Sequence, residues 1–219
     1  MWVANLDQWI GSSRDHGDCL DRFDQDRAAR KPEGLVRERF VSSRVILRQI
    51  LGALLRVRPA DLRFEIDTHG KPALMDPHRS QCFNLSHSGA ALLIGTSMSA
   101  HVGVDVEVSR SVPKALQLSK RVFTAGERLL LTQASEISEA ERDEAFMRIW
   151  TRKEAYLKCR GEGFTTPARN YAVGLQGTTL LDGIEVRSVD LPFPGYAALA
   201  SAAPVHHVHR YQLCRDDTI

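Results

Sequence analysis

No run in this 219-residue chain approaches the roughly 20 consecutive apolar residues that a membrane-spanning helix needs. No membrane role is therefore expected. The four cysteines, Cys19, Cys82, Cys159 and Cys214, contain no C-x-x-C pair. That scatter argues against a disulfide framework or a zinc site and suits reduced core residues. Charge of one sign is missing too: 29 Lys and Arg stand against 27 Asp and Glu, a net +2. No global field then draws the protein to nucleic acid or to a lipid surface. The opening MWVANLDQWIG has no charged start followed by an apolar run, so no signal peptide is read and the cytoplasm is the expected location. Low-complexity segments and solenoid periods are absent as well.

What remains is 43% apolar and 26% charged, ordinary globular material able to bury a substantial core. The length fits one large domain or two small lobes. Charge is unevenly spread: from Arg22 to Arg63 the chain is arginine-rich. The first 30 or so residues have no firm pattern. From about Leu35 to Leu55 apolar residues recur at three- and four-residue steps, which predicts a helix, with Arg44 and Arg48 emerging on one face. LRFEID reads as a short strand and THGKPALMDPHRS as a loop of turn residues. FNLSHSG leads into the strand AALLIGTS, with HVGVDVEV as its hairpin partner.

HVGVDVEV, His101 to Val108, raises the chemical question. Alternation puts Val102, Val104, Val106 and Val108 on one strand face, and Gly103, Asp105 and Glu107 on the other. Two like charges about 7 Å apart on one face repel, unless a cation such as a metal ion lies between them. A solvated acidic face explains the pair equally well on its own.

After Pro113 the pattern is helical. Thr124 and Glu127 form a capping-box arrangement. ISEAERDEAFMRIWTRKEAYLKCRGEG is the strongest helix and stops at Gly161 and Gly163. Its apolar stripe is Phe146, Ile149, Trp150 and Leu157, with Lys153 at the border. Glu154 lies along that side, where a carboxylate needs a cation or a donor. An ordinary i, i+4 pair with Lys158 would also satisfy it. GIEVRSVDL and GYAALASAA read as strands, the second resembling GAALLIGTS. His206, His207 and His209 fit alternating positions on an edge strand. An Asp-x-Glu strand, an inward glutamate and a set of basic residues together suit Mg²⁺ and a phosphate-bearing substrate.

GKP (Gly70 to Pro72), FNLSHSG (Phe83 to Gly89), VGVDVE (Val102 to Glu107), FTAGE (Phe123 to Glu127) and WTRKEAYLKCRGEGF (Trp150 to Phe164) occur in one order. The series resembles the 4'-phosphopantetheinyl transferases, of the single-chain, two-lobed type that activates peptide and polyketide synthetases. The resemblance implies an α+β fold of two similar lobes related by a pseudo-twofold. Each lobe would be a small antiparallel sheet packed with helices, and the active site would lie in the cleft between them. Residues 1–108 would form the first lobe, with the basic helix and the metal-binding strand. Residues 109–219 would form the second, with the WxxKEA helix.

By that resemblance, the phosphopantetheine arm of coenzyme A moves to a serine of an acyl or peptidyl carrier protein, and adenosine 3',5'-bisphosphate leaves. Asp105, Glu107 and Glu154 would hold Mg²⁺, with Mn²⁺ as the alternative ion. Glu154 is also the family's favoured general base, a role that competes with metal binding. Lys158 would reach the pyrophosphate. Ser86 and His87 would lie near the 3'-phosphate and adenine, with Lys71 and Pro72 lining the same region. Arg44 and Arg48 would contact phosphate, and Lys153 would either contact phosphate or orient Glu154. Arg30 and Lys31 are further phosphate contacts to consider. Trp150 is expected to pack, and Glu127 to cap. Arg110, Lys114, Lys120 and Arg121 would face the acidic carrier, and the enzyme would work as a monomer. Two other readings use the same residues: a Mg²⁺-dependent nucleotide phosphohydrolase, and a nucleic-acid-binding module built on the arginine-rich helix.

Overall fold

The computed structural model describes residues 1–11, 17–68, 70–161 and 167–214; Gly163 and Phe164 of the last motif lie outside them. In chain order the elements are β1 (Trp2–Asn5), α1 (Arg22–Ala29), α2 (Leu35–Leu55), β2 (Phe64–Ile66), β3 (Pro72–Leu74), β4 (Cys82–Ser88), β5 (Ala91–Ser97) and β6 (Val102–Val108). They continue with α3 (Ala115–Val122), α4 (Ala125–Ile137), α5 (Glu139–Arg160), β7 (Thr178–Leu181), β8 (Ile184–Val189), β9 (Gly195–Ser201) and β10 (Tyr211–Leu213), interspersed with short 3-10 turns. The class is α+β, as the sequence predicts. Among the described residues, no helix is long and apolar enough to cross a membrane.

Two four-stranded sheets carry the molecule, in the orders β10-β1-β5-β4 and β6-β9-β8-β7, beside a β2-β3 hairpin. Three apolar clusters set the layers. One packs Leu92 and Ile94 of β5 against Ile46, Leu47, Ile50 and Leu51 of α2. A second packs Ala198 and Ala200 of β9 against Phe146, Ile149 and Tyr156 of α5. The third lies between the sheets and joins Val3, Leu93, Val104, Val106 and Leu199. The layers therefore run α2, first sheet, second sheet, α5. The same order recurs in each half: strand, helix, strand, strand, with the last strand between the other two (β1-β5-β4 and β6-β9-β8).

Several expectations change here. β6 is not the hairpin partner of β5. β5 pairs with β4 and β1, and β6 pairs antiparallel with β9. Both edges of β5 are taken, so the chain crosses to the facing sheet instead of turning back. The sheets meet so closely that a Cβ on Gly95 would lie 2.7 Å from Val104 Cγ1. The sheets also do not divide at residue 108, because β6 joins the second sheet and β10 returns to pair with β1 in the first. Part of the GKP segment read as loop is strand β3, paired with β2. His206, His207 and His209 lie in the irregular segment before β10, not on a strand.

Helix ends follow their local chemistry. Thr124 and Glu127 form both halves of the capping box on α4, and Ser138 caps α5 through the Glu141 N–H. Gly161 ends α5 at φ 74°, a left-handed position that glycine adopts without a Cβ penalty.

Candidate active site

The valine face of β6 packs into the layer between the sheets, which turns Gly103, Asp105 and Glu107 toward α5. Gly103 is where α5 presses against the strand: a Cβ there would lie 2.0 Å from the Ala155 carbonyl and 2.4 Å from the Cys159 amide. That near-contact sets Glu154 and Lys158, one helical turn apart, against the carboxylates of β6.

Lys158 Nζ lies 2.6 Å from Asp105 Oδ1, 3.1 Å from Ser86 Oγ and 3.3 Å from the Val104 carbonyl. Ser86 donates to the same Oδ1 at 2.8 Å, whereas Asp105 Oδ2 is buried and accepts nothing from the described residues. Burial raises the Asp105 pKa above the ordinary carboxylate value; Lys158 and Ser86 oppose the rise, and Glu107 adds to it. Glu107 Oε2 accepts from Ser88 Oγ at 2.6 Å and stands 3.7 Å from Arg110 Nη2. Burial, with the charges of Asp105 and Glu107, pushes the Glu154 carboxyl up to about 7, and Lys158 only partly offsets them. Among the described residues, three carboxylates thus face one ammonium and one more distant guanidinium, so the site carries excess negative charge that a divalent cation would relieve.

Among the described residues, no three His, Cys, Asp or Glu side chains already stand at metal-ligand spacing. The donor set still fits a hard divalent ion: every group is a carboxylate oxygen, one is a buried oxygen without a partner among the described residues, Glu107 disfavours ionisation of Asp105, and both disfavour that of Glu154. Binding such an ion would draw these side chains together.

His87 lies on the opposite face of β4 from Ser86, with its edge exposed to solvent. Its crowded setting and the charges of Lys31, Lys158 and Arg39 hold the imidazole below its ordinary pKa. Sequence reading gave Arg39 no role; it pairs with Asp7 through two hydrogen bonds of 2.7 and 2.8 Å. The Lys71 ammonium is bound to backbone, donating to the Lys158 carbonyl at 2.5 Å and to the Val102 carbonyl at 3.3 Å. Lys71 and Pro72 line a cavity of about 380 Å³ beside the end of α5, with Cys82, Phe83, His101 and Cys159.

The structure takes three predicted phosphate contacts away from the site. Arg44 and Arg48 are 2% and 0% exposed. Asp24 binds the Nε of both, at 2.7 and 2.5 Å, and Arg48 also pairs with Asp21. Both guanidiniums lie over the Phe64 ring. The spacing placed them on one face correctly; that face looks into the protein. Lys153 is buried as well, paired with Glu127 at 2.8 Å and bound to the carbonyls of Ala168 and Tyr171. Glu127 further accepts from the Val173 amide at 2.9 Å, so it caps α4 and braces α5. Trp150 packs at the edge of the α5 cluster, stacked on Phe146. Asn84, Ser86 and Ser88 share the β4 face that meets β6 and bond to successive β6 positions. The alternation of polar residues in FNLSHSG was the signal for that face; only Ser86 was taken from it.

A family model described as the 4'-phosphopantetheinyl transferase superfamily matches residues 101–183, from β6 through β7. The chain is 35% identical over 165 residues to 4'-phosphopantetheinyl transferase HetI of Nostoc sp., covering 74% of this chain and 68% of that protein. It is 37% identical over 130 residues to a putative 4'-phosphopantetheinyl transferase of Synechocystis sp., covering 59% of this chain and 52% of that one. Against 4'-phosphopantetheinyl transferase Sfp of Bacillus subtilis identity is 28% over 134 residues, covering 60% of this chain and 55% of that protein. The chain is an enzyme of the 4'-phosphopantetheinyl transferase superfamily.

Proposed function

We propose that this chain transfers the 4'-phosphopantetheine arm of coenzyme A to a serine hydroxyl of an apo acyl or peptidyl carrier protein. The observation that carries the reading is the meeting of Asp105 and Glu107 from β6 with Glu154 and Lys158 from α5, leaving negative charge in excess. Asp105, Glu107 and Glu154 would hold Mg²⁺, or Mn²⁺ in its place. When bound, the ion supplies charge neutralisation and Lewis acidity at the pyrophosphate.

The chain's own residues do the rest. Lys158 offers its ammonium to the pyrophosphate. Lys31 and Arg39 stand near a neutral His87, and this group would suit the 3'-phosphate once Arg39 is shared with Asp7. The serine oxygen bonds to the phosphorus bearing pantetheine, and the bond from that phosphorus to the bridging oxygen breaks. Adenosine 3',5'-bisphosphate leaves with the bond's electron pair. Glu154 would receive the serine proton, directly or through water, a role that competes with its holding the ion.

The carrier would dock on α3 and α4, where Leu116, Leu118, Leu129 and Leu130 are exposed beside Lys114, Lys120, Arg121 and Arg128. An acidic carrier matches that mixture of apolar and basic groups. Four cysteines with no C-x-x-C pair suit a reducing compartment, and we place the enzyme in the cytoplasm as a monomer. A nucleic-acid module is disfavoured, because Arg44 and Arg48 are sealed inside the fold.

The test is the intact mass of several apo carrier proteins after incubation with this protein, coenzyme A and Mg²⁺, with a chelator control. A metal-dependent gain of one arm, about 340 Da, is expected. Release of bisphosphate with no gain on any carrier would make it a hydrolase instead.

A further inference from the structure

β4 and β6 belong to different sheets, yet they run side by side through side chains. Asn84, Ser86 and Ser88 sit opposite Gly95, Leu93 and Ala91 of β5, so they point toward the second sheet. Asn84 Oδ1 accepts the Val104 N–H at 2.8 Å, and Ser86 donates to Asp105. Ser88 makes the last link: its hydroxyl donates to Glu107 Oε2 at 2.6 Å and accepts the Val108 N–H at 3.4 Å. That incoming N–H occupies a lone pair of Ser88 and leaves its proton for the carboxylate, a short charge-assisted bond.

Glu107 Oε2 has a second suitor. Arg110 Nη2 stands 3.7 Å away on a side chain that is 55% exposed. A swing toward Arg110 would turn Glu107 out of the pocket. We propose that Ser88 is a positioning residue for the cation site, holding Glu107 toward Asp105 and Glu154 against the outward attraction of Arg110. The inference rests on the reading of these carboxylates as a divalent-cation site. It makes the first sheet a determinant of how the second sheet's acids are aimed, as groups behind metal ligands commonly are.

The experiment measures Mn²⁺ binding by the loss of the free-ion EPR signal, on the full chain without coenzyme A or carrier. It is paired with transfer rates as a function of Mg²⁺. Ser88→Ala should weaken Mn²⁺ binding roughly tenfold and raise the Mg²⁺ needed for half-maximal rate, with kcat at saturating Mg²⁺ retained. Ser88→Thr should keep wild-type affinity, and Ser88→Ala combined with Arg110→Ala should recover most of the loss. If alanine lowers the thermal midpoint, Ser88→Cys, of similar shape but a weak donor, makes the same comparison. Unchanged Mn²⁺ affinity in Ser88→Ala, or a loss that Arg110→Ala fails to relieve, would overturn the positioning role. Failure of the wild type to bind Mn²⁺ would instead overturn the cation-site reading, and the positioning role with it.

Discussion

Two groups of charge lie beside the two long helices, one between α1 and α2 and one between α5 and β6. On α2, Arg44 and Arg48 meet Asp24 and Asp21, two cations against two anions in direct pairs. On α5 and β6, Asp105, Glu107 and Glu154 meet a single close ammonium, Lys158. The first group is balanced in charge, with Arg44, Arg48 and Asp24 buried and Asp21 at its edge; the second is short of positive charge. A matched buried group holds structure together, because removal of either partner strands the other without water. An unmatched one stores a requirement that a ligand can meet. Arg44, Arg48 and Asp24 are buried outright, whereas Glu107, Glu154 and Lys158 are half-buried, so imbalance and partial access to solvent together mark the functional group.

The largest effect should follow from removing the unmatched group's acids. Asp105→Ala should lower carrier modification by at least about a hundredfold while the folded CD spectrum survives, because the lost charge was surplus. Near wild-type turnover in a folded variant would erase the contrast between the two groups.

Asp24→Ala attacks the matched group. It leaves two buried guanidiniums short of a partner and should cost about 3–5 kcal/mol in urea unfolding. Mn²⁺ affinity of the protein that remains folded should be unchanged. A loss of metal binding with no loss of stability would reverse the assignment of the two clusters.

Glu154→Gln separates stability from activity. The Glu154 pKa of about 7 lies above the ordinary 4.5, so the metal-free native state holds a proton that the unfolded chain has already released. Stability from this group is present at low pH and falls as pH rises through that window, by at most about 3 kcal/mol. Under chelation Glu154→Gln should therefore match wild type near pH 5 and exceed it at pH 8 in thermal midpoint, while with Mg²⁺ supplied the variant should lose the transfer that wild type retains. A midpoint advantage that does not grow with pH would remove the argument from excess charge.

The smallest effect is expected at the surface. Charge reversal at Lys120 and Arg121 should raise the carrier KM several-fold and leave coenzyme A binding intact, since exposed charges mainly govern encounter. An unchanged carrier KM would exclude this face as the docking site.

Legibility in the sequence followed the range of the forces involved. α2, α4 and α5 were readable because helix periodicity, the Thr124–Glu127 box and the Gly161 stop act within a few residues. β6 was readable as a strand, but its partner was not. Pairing with β9 spans most of a half of the chain, and nothing in HVGVDVEV distinguishes that from a hairpin with β5. Arg44, Arg48 and Lys153 failed for a related reason. The sequence fits a basic side chain equally well to phosphate or to an internal carboxylate, and only packing placed Asp24 and Glu127 beside them.

By itself, then, the sequence determined the chemical inventory: a strand with valines on one face and two acids on the other, and a helix carrying Glu154 and Lys158 one turn apart. Local periodicity compels that much, because side-chain direction along a strand or helix depends on the backbone alone. Only the tertiary structure decided which charges meet. Gly103 admits α5 to the surface of β6, the β4 hydroxyls reach Asp105 and Glu107 from the opposite sheet, and the arginines of α2 close on their own aspartates. Electrostatic interaction depends on distance through space, and the fold sets that distance.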